Sequence, residues 1–175
     1  MIDQQLKSAI RDVPNFPKPG IIFKDITPIL RNPQLCESVV DSLVAQLPVT
    51  RIDAVAGIES RGFLFGLMLA QRLGKPFVPV RKQGKLPWRT VSQEYALEYG
   101  KAVLEIHEDA FEPGTRVLVH DDLLATGGTV TATSELIRKL GGSVAGYAFI
   151  VSLESLGGRE QLYAYSKDIF SLISY

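Results

Sequence analysis

The chain has 175 residues, the size of one domain with its own core, and its 19 Lys and Arg residues balance 19 Asp and Glu, so no global basic field exists to gather nucleic acid or an anionic membrane. The longest apolar run, Gly62 to Ala70, is nine residues and falls far short of the roughly 18 to 20 that span a bilayer, while Asp3, Lys7, Arg11 and Asp12 break up any signal-peptide core, so a cytoplasmic protein is expected. One cysteine, Cys36, excludes an internal disulfide, and His107 with His120 makes no dense cluster for zinc.

Ile2, Leu6, Ile10 and Val13 recur at three or four residues and predict an amphipathic helix over 2–13 that Asp3 can cap. Pro14, Pro17, Pro19, Gly20 and Pro28 then forbid helix and predict an ordered loop or flap. Asn32 and Pro33 suit a helix start ahead of Leu35, Val39, Leu43 and Leu47, with Cys36 a small buried hydrophobe near that start.

From Asp53 the pattern becomes strand, turn, helix. DAVAGI is a strand, Ser60 can cap, FLFGLMLAQRL is a buried helix ended by Gly74, and PFVPV is the next strand. Residues 82–100 are polar and hold Gly84, Pro87 and Gly100, a long excursion that reads as a lid or hairpin. RVLVH, a small-residue loop, TVTATSELIRKL, Gly141 and SVAGYAFIVSL repeat the strand–helix–strand order. Two such units imply an α/β fold with a mainly parallel sheet and right-handed crossovers, whose ligands lie beyond the carboxyl ends of the strands.

The strongest chemical signal is VLVHDDLLATGGT, where a strand runs into Asp121 and Asp122 and then into Ala125, Thr126, Gly127, Gly128 and Thr129 opening a helix. Free N–H groups, the positive end of the helix dipole, threonine hydroxyls and glycines that allow close approach suit a phosphate dianion. The two acids, expected at the surface of the loop, would repel that phosphate and suit a diol or a metal instead. Arg61, at the start of the helix after GIES, carries a positive charge where the dipole disfavours one, which a bound anion would explain; Arg81, Lys82 and Lys85 extend this second anion site.

A monophosphate cradle, a diol-binding acid pair and a separate polyanion clamp describe a phosphorylated sugar carrying a diphosphate. Here the chain resembles the type I phosphoribosyltransferases over nearly its whole length, in NFPKPGIIFKDITPIL, AGIESRGFLFG, PVRKQGKLP, ALEYGKAVLEIHEDAFEPGTRVLVHDDLLATGGT and VSLESLGGREQL. The proline-rich flap and LEYG look like the branch that takes adenine. The resemblance implies a single domain over 1–175 with a mainly parallel twisted sheet flanked by helices, an N-terminal helix and base-binding hood over 1–33, and a mobile catalytic loop within 82–100. It implies transfer of the phosphoribosyl group of 5-phosphoribosyl 1-diphosphate (PRPP) to adenine, with Mg2+ carried on the diphosphate, and a homodimer that engages neither nucleic acid nor membrane.

On the same basis, Ala125 to Thr129 would hold the 5′-phosphate and Asp121 and Asp122 the ribose hydroxyls. Glu59, Ser60, Arg61, Arg81, Lys82 and Lys85 would receive the diphosphate, with a cis peptide in the Glu59 to Arg61 loop. Glu98 and Tyr99 match the catalytic-loop pair, Glu105 being the nearest competitor for the acid. Ile22, Phe23 and Lys24 match the hood, with main-chain groups reading the purine edge, and Leu153 the opposite apolar wall; Phe16 and Phe23 as plain core is the alternative. Lys24 stands where many relatives carry Arg, and His120 fills a position that is otherwise apolar and reads as a packed, hydrogen-bonded histidine. Rival readings are another purine preference, a ligand-sensing regulator on the same fold, which the zero net charge disfavours, and a serine hydrolase, for which Gly57-x-x-Ser60-x-Gly62 is one residue too long. Nucleotide hydrolysis is weak because no G-x-x-x-x-G-K-[ST] loop occurs.

Overall fold

The computed structural model describes residues 1–96 and 100–175. Helix α1 (Ile2–Ala9) leads into an antiparallel ribbon of β1 (Arg11–Pro14) and β2 (Ile22–Asp25), then a 3-10 turn and α2 (Pro33–Val44). The α/β body follows as β3 (Ala54–Ile58), α3 (Gly62–Leu73), β4 (Phe77–Lys82), β5 (Thr90–Ala96), β6 (Lys101–His107), β7 (Arg116–Leu124), α4 (Gly128–Lys139), β8 (Ser143–Ser152), α5 (Gly158–Leu162) and β9 (Ile169–Ser174). A seven-stranded sheet runs in the order β5-β6-β4-β3-β7-β8-β9. Strands β4, β3, β7, β8 and β9 are parallel, and β5 and β6 add an antiparallel hairpin at one edge. None of the helices among the described residues is long and apolar enough to cross a membrane.

The period of two along each strand sorts the core into two layers. Val55, Leu118, Ala148 and Ile150 face a cluster built by α1, α2 and α3, whereas Ala56, Val117, Val119, Tyr147 and Phe149 face α4. Helix α2 starts as its residues dictate, with the Asn32 side chain accepting from the Leu35 N–H at 3.1 Å and Pro33 in the first turn, where an N–H has no partner to lose. Helix α3 ends where Gly74 turns left-handed at φ 63°, and Cys36 is buried with its thiol against the Ile29 carbonyl.

Four local expectations are corrected. The first helix stops at Ala9, because Pro14 biases the residue before it to extended backbone and Arg11–Pro14 pair as a strand; Met1, not Asp3, occupies the cap position. The flap is the β1–β2 ribbon, whose prolines sit at its end and in its connection, where no ladder N–H is needed. Arg61 rather than Ser60 takes the cap position of α3, without a side-chain cap. Strand β7 does not end at His120 but runs on through both acids to Leu124, so the acids lie on a strand and Asp122 is only 2% exposed.

Candidate active site

Strand β3 hands over through α3 to β4 on one side, and β7 through α4 to β8 on the other. The loops after two neighbouring strands therefore leave in opposite directions and open a crevice at their carboxyl ends. Residues 57–62 and 121–129 meet there. A Cβ at Gly62 would lie 2.9 Å from the His120 carbonyl oxygen and 3.0 Å from Asp121 Oδ1, so the start of α3 can press against β7 only as glycine.

Beyond β7, Gly127 takes φ 86° and Gly128 opens α4, which leaves the helix's first N–H groups unpaired by the helix itself. A cavity of about 470 Å³ lies over this turn, lined by Ala125 to Thr129 and bounded by Tyr95 and Ala96 of β5. Tyr95 is a lining residue that sequence reasoning missed, and only the alternation of TVSQEYA pointed to the strand that carries it. The loop is supported from behind by α5, where a Cβ at Gly158 would run into the Ala125 carbonyl.

The acids differ in their surroundings. Asp122 is buried with its carboxylate 3.2 Å from Arg61 Nε, while half-buried Asp121 accepts the Asp122 N–H through Oδ1 at 2.9 Å. Burial pushes both carboxyls above the usual range. The Asp122 charge raises Asp121 further, and the Arg61 guanidinium opposes the rise in both. Arg61 also lies 4.7 Å from the centre of the Phe23 ring, so it joins the hood to the acid pair. Its charge at the start of α3 is thus met by Asp122 from within the chain.

The end of β4 and the loop beyond it are gathered by Glu59, whose carboxylate accepts from the Lys82 main-chain N–H at 2.8 Å, Lys85 Nζ at 2.6 Å and Arg81 Nε at 3.3 Å. The Glu59–Ser60 peptide is cis, as the resemblance implied, and Ser60 is exposed. Glu105 is buried and accepts the Gly84 N–H at 3.0 Å, which assigns it to the turn of this cationic strap. Glu98 and Tyr99 lie outside the described residues.

In the hood, Phe16 is 51% exposed and meets Phe23 edge-on at 5.2 Å, so Phe16 is not core. Exposed Ile22 and half-buried Lys24 flank Phe23 on β2, and Lys24 Nζ is taken up by Asp12 at 2.7 Å and by the Tyr175 ring at 3.8 Å. Pro14 has no N–H, so its pair with Ile22 is of the non-bonded kind, and by alternation so is Asp12 with Lys24. The main-chain groups of Ile22 and Lys24 consequently point to the open edge of the ribbon. Leu153 follows β8 and is tied to the end of β7 through its N–H to the Leu124 carbonyl at 2.9 Å. His120 is packed, as expected, but neither ring nitrogen makes a hydrogen bond of good geometry among the described residues; the ring lies against Gly66 of α3 and near the Ala148 main chain.

The fold thus brings together at one switch-point crevice an acid pair running into a glycine–threonine turn and a cationic strap beside it. A family model described as the phosphoribosyl transferase domain matches residues 27–174, and the chain belongs to that family. An adenine phosphoribosyltransferase of Cytophaga hutchinsonii is 53% identical over 175 residues, covering 100% of this chain and 97% of that one. The crystal structure of the adenine phosphoribosyltransferase of Thermoanaerobacter pseudethanolicus superposes with a TM-score of 0.95 at 49% identity, covering 100% of both chains. The Saccharomyces cerevisiae enzyme, solved with an imino-altritol bisphosphate and adenine, gives a TM-score of 0.92 at 41% identity and 98% of both chains. Within the family, the chain groups with the adenine phosphoribosyltransferases.

Proposed function

We propose that this chain transfers the phosphoribosyl group of PRPP to adenine, giving AMP and diphosphate, a purine-salvage reaction. The observation that carries the reading is the run of the acid pair into the Ala125 to Thr129 turn under a cavity of about 470 Å³. In this reading the turn holds the 5′-phosphate with main-chain N–H groups and the dipole of α4. Asp121 and Asp122 accept from the ribose hydroxyls, and Glu59 to Arg61 with Arg81, Lys82 and Lys85 form the diphosphate side.

Adenine lies against Phe23 and Leu153, its edge read by the free main-chain groups of Ile22 and Lys24. The new bond forms between the ribose C1 and the purine nitrogen as the bond from C1 to the diphosphate oxygen breaks, through an oxocarbenium-like sugar. The chain's work is alignment, charge neutralisation and exclusion of water. Glu98 takes charge of the purine proton and Tyr99 helps close the site, with 82–100 as the closing segment.

The described residues include no group of three or more acids, histidines or cysteines placed to hold a metal, and the acid pair offers carboxylate oxygens at the site. This fits a Mg2+ that arrives on the diphosphate and keeps most of its ligands there, supplying charge neutralisation to the leaving group. We also propose a cytoplasmic homodimer. Leu64 and Leu67 of α3 are 43% and 48% exposed, an apolar face that a second copy would cover. Following diphosphate release with each purine base, PRPP and Mg2+ tests the reaction: adenine is expected to react and hypoxanthine and guanine to react far more slowly, whereas equal rates would contradict the adenine assignment.

A further inference from the structure

The Glu59 side chain is 6% exposed, and both its oxygens are spent on the strap. Oε2 takes the Lys82 N–H and Arg81 Nε, and Oε1 takes Lys85 Nζ. Arg81 Nη1 then donates to the Lys85 carbonyl at 3.1 Å, which closes the loop on itself, and Glu105 holds its turn through Gly84. One carboxylate at the end of β3 thus fixes both ends of a loop that leaves β4. Burial by itself would raise the Glu59 carboxyl, but Lys85, the Lys82 N–H and Arg81 hold it below the usual range, so the group is a carboxylate. Beside a site for a diphosphate, a negative charge opposes the ligand, and its presence calls for a compensating role.

We propose that Glu59 is a positioning residue for the leaving group: its carboxylate does not contact the diphosphate but sets the strap so that Arg81 and Lys85 meet it. The inference rests on reading the strap as the diphosphate side. Charge and position act in opposite directions here, which makes the role measurable. If Glu59 only opposes the ligand, neutralising it tightens diphosphate binding. If it positions the strap, neutralising it loosens binding.

The test measures binding of inorganic diphosphate with Mg2+, together with KM for PRPP and kcat, for Glu59→Gln, Glu59→Asp, Lys85→Met and the Glu59→Gln/Lys85→Met pair, with melting temperatures alongside. Glu59→Gln is expected to weaken diphosphate binding and raise KM by about tenfold, the size of a lost charge-assisted contact, with kcat changed less. Glu59→Asp, which keeps the charge, should recover part of that loss. In the Lys85→Met background Glu59→Gln should cost less than it does alone, because the Lys85 contact is already gone and only Arg81 and the Lys82 N–H are left for it to set. Unchanged or tighter diphosphate binding in Glu59→Gln, or a full effect that persists without Lys85, overturns the proposal. If Glu59→Gln does not fold, Glu59→Asp decides, with a few-fold loss supporting the role and no change overturning it. If Lys85→Met leaves diphosphate binding intact, the reading of the strap fails, and this inference with it.

Discussion

Arg61 Nε lies 3.2 Å from the carboxylate of Asp122, a side chain only 2% exposed. The pair spans the crevice between the first turn of α3 and the end of β7, and the Phe23 ring covers the guanidinium from the hood side. Arg61 is therefore the partner that opposes the rise burial imposes on the Asp122 carboxyl.

Removing that partner should make stability depend on pH. Burial raises the folded pKa of Asp122 above 3.8, so stability falls as pH rises from the unfolded value through the folded one. Arg61→Gln removes the group that lowers the folded value, which carries the loss to higher pH. The variant's deficit should be larger at about pH 8 than at about pH 5, reaching about 3 kcal/mol. Thermal melts at both pH values check this, and a deficit independent of pH would count against the ion pair.

His120 works in the opposite direction. Its ring is fully buried, and burial pushes its pKa down to about 4 from 6.5. The unfolded chain binds the proton first, so the stability present above pH 6.5 is lost as pH falls through about 4, a contribution of about 3 kcal/mol. In His120→Leu the loss of urea stability between about pH 7 and about pH 5 should shrink, while the acid pair's own titration is common to both proteins. An unchanged slope would show that His120 is already paired or charged in the fold.

Gly158→Ala should act at a distance on the Ala125 to Thr129 turn. The added methyl would meet the Ala125 carbonyl, so the turn or α5 must shift, at about 1–3 kcal/mol. A raised KM for PRPP with near-normal adenine binding is expected from steady-state kinetics. Normal PRPP kinetics would separate the turn from the phosphate.

Lys24→Ala should keep the preference for adenine over hypoxanthine, because the ammonium is already held by Asp12 and Tyr175 and the open edge of β2 offers main-chain groups. A site built from buried hydrogen bonds rejects the mismatched base strongly. Comparing kcat/KM for both bases decides the matter, and lost discrimination would mean that the side chain reads the purine.

The sequence carried these features unequally. Helix α2 was legible because Asn32, Pro33 and the step of four from Leu35 to Leu43 all agree, and the Ala125 to Thr129 turn because glycine and threonine after two acids have few other uses. The burial of Asp122 was not legible. Two charges in a row look like the end of a strand, and only the alternation of Leu118, His120 and Asp122 places the acid on the face toward α3. The ribbon of β1 and β2 was hidden by prolines that its edges tolerate. Glu59's bond to Lys85 joins residues 26 apart, a pairing set by strand order and not by local spacing.

On the proposed function, the end of β7 is the donor's ribose and phosphate site. Isothermal titration of PRPP with Mg2+ into wild type and Asp121→Asn tests it most directly, since Asn keeps the shape and the contact to the Asp122 N–H while removing the charge. About tenfold weaker binding, with a melting temperature no lower than that of wild type because burial and the Asp122 charge already disfavour the Asp121 carboxylate, is the expected result. Equal affinity in the two proteins would contradict it.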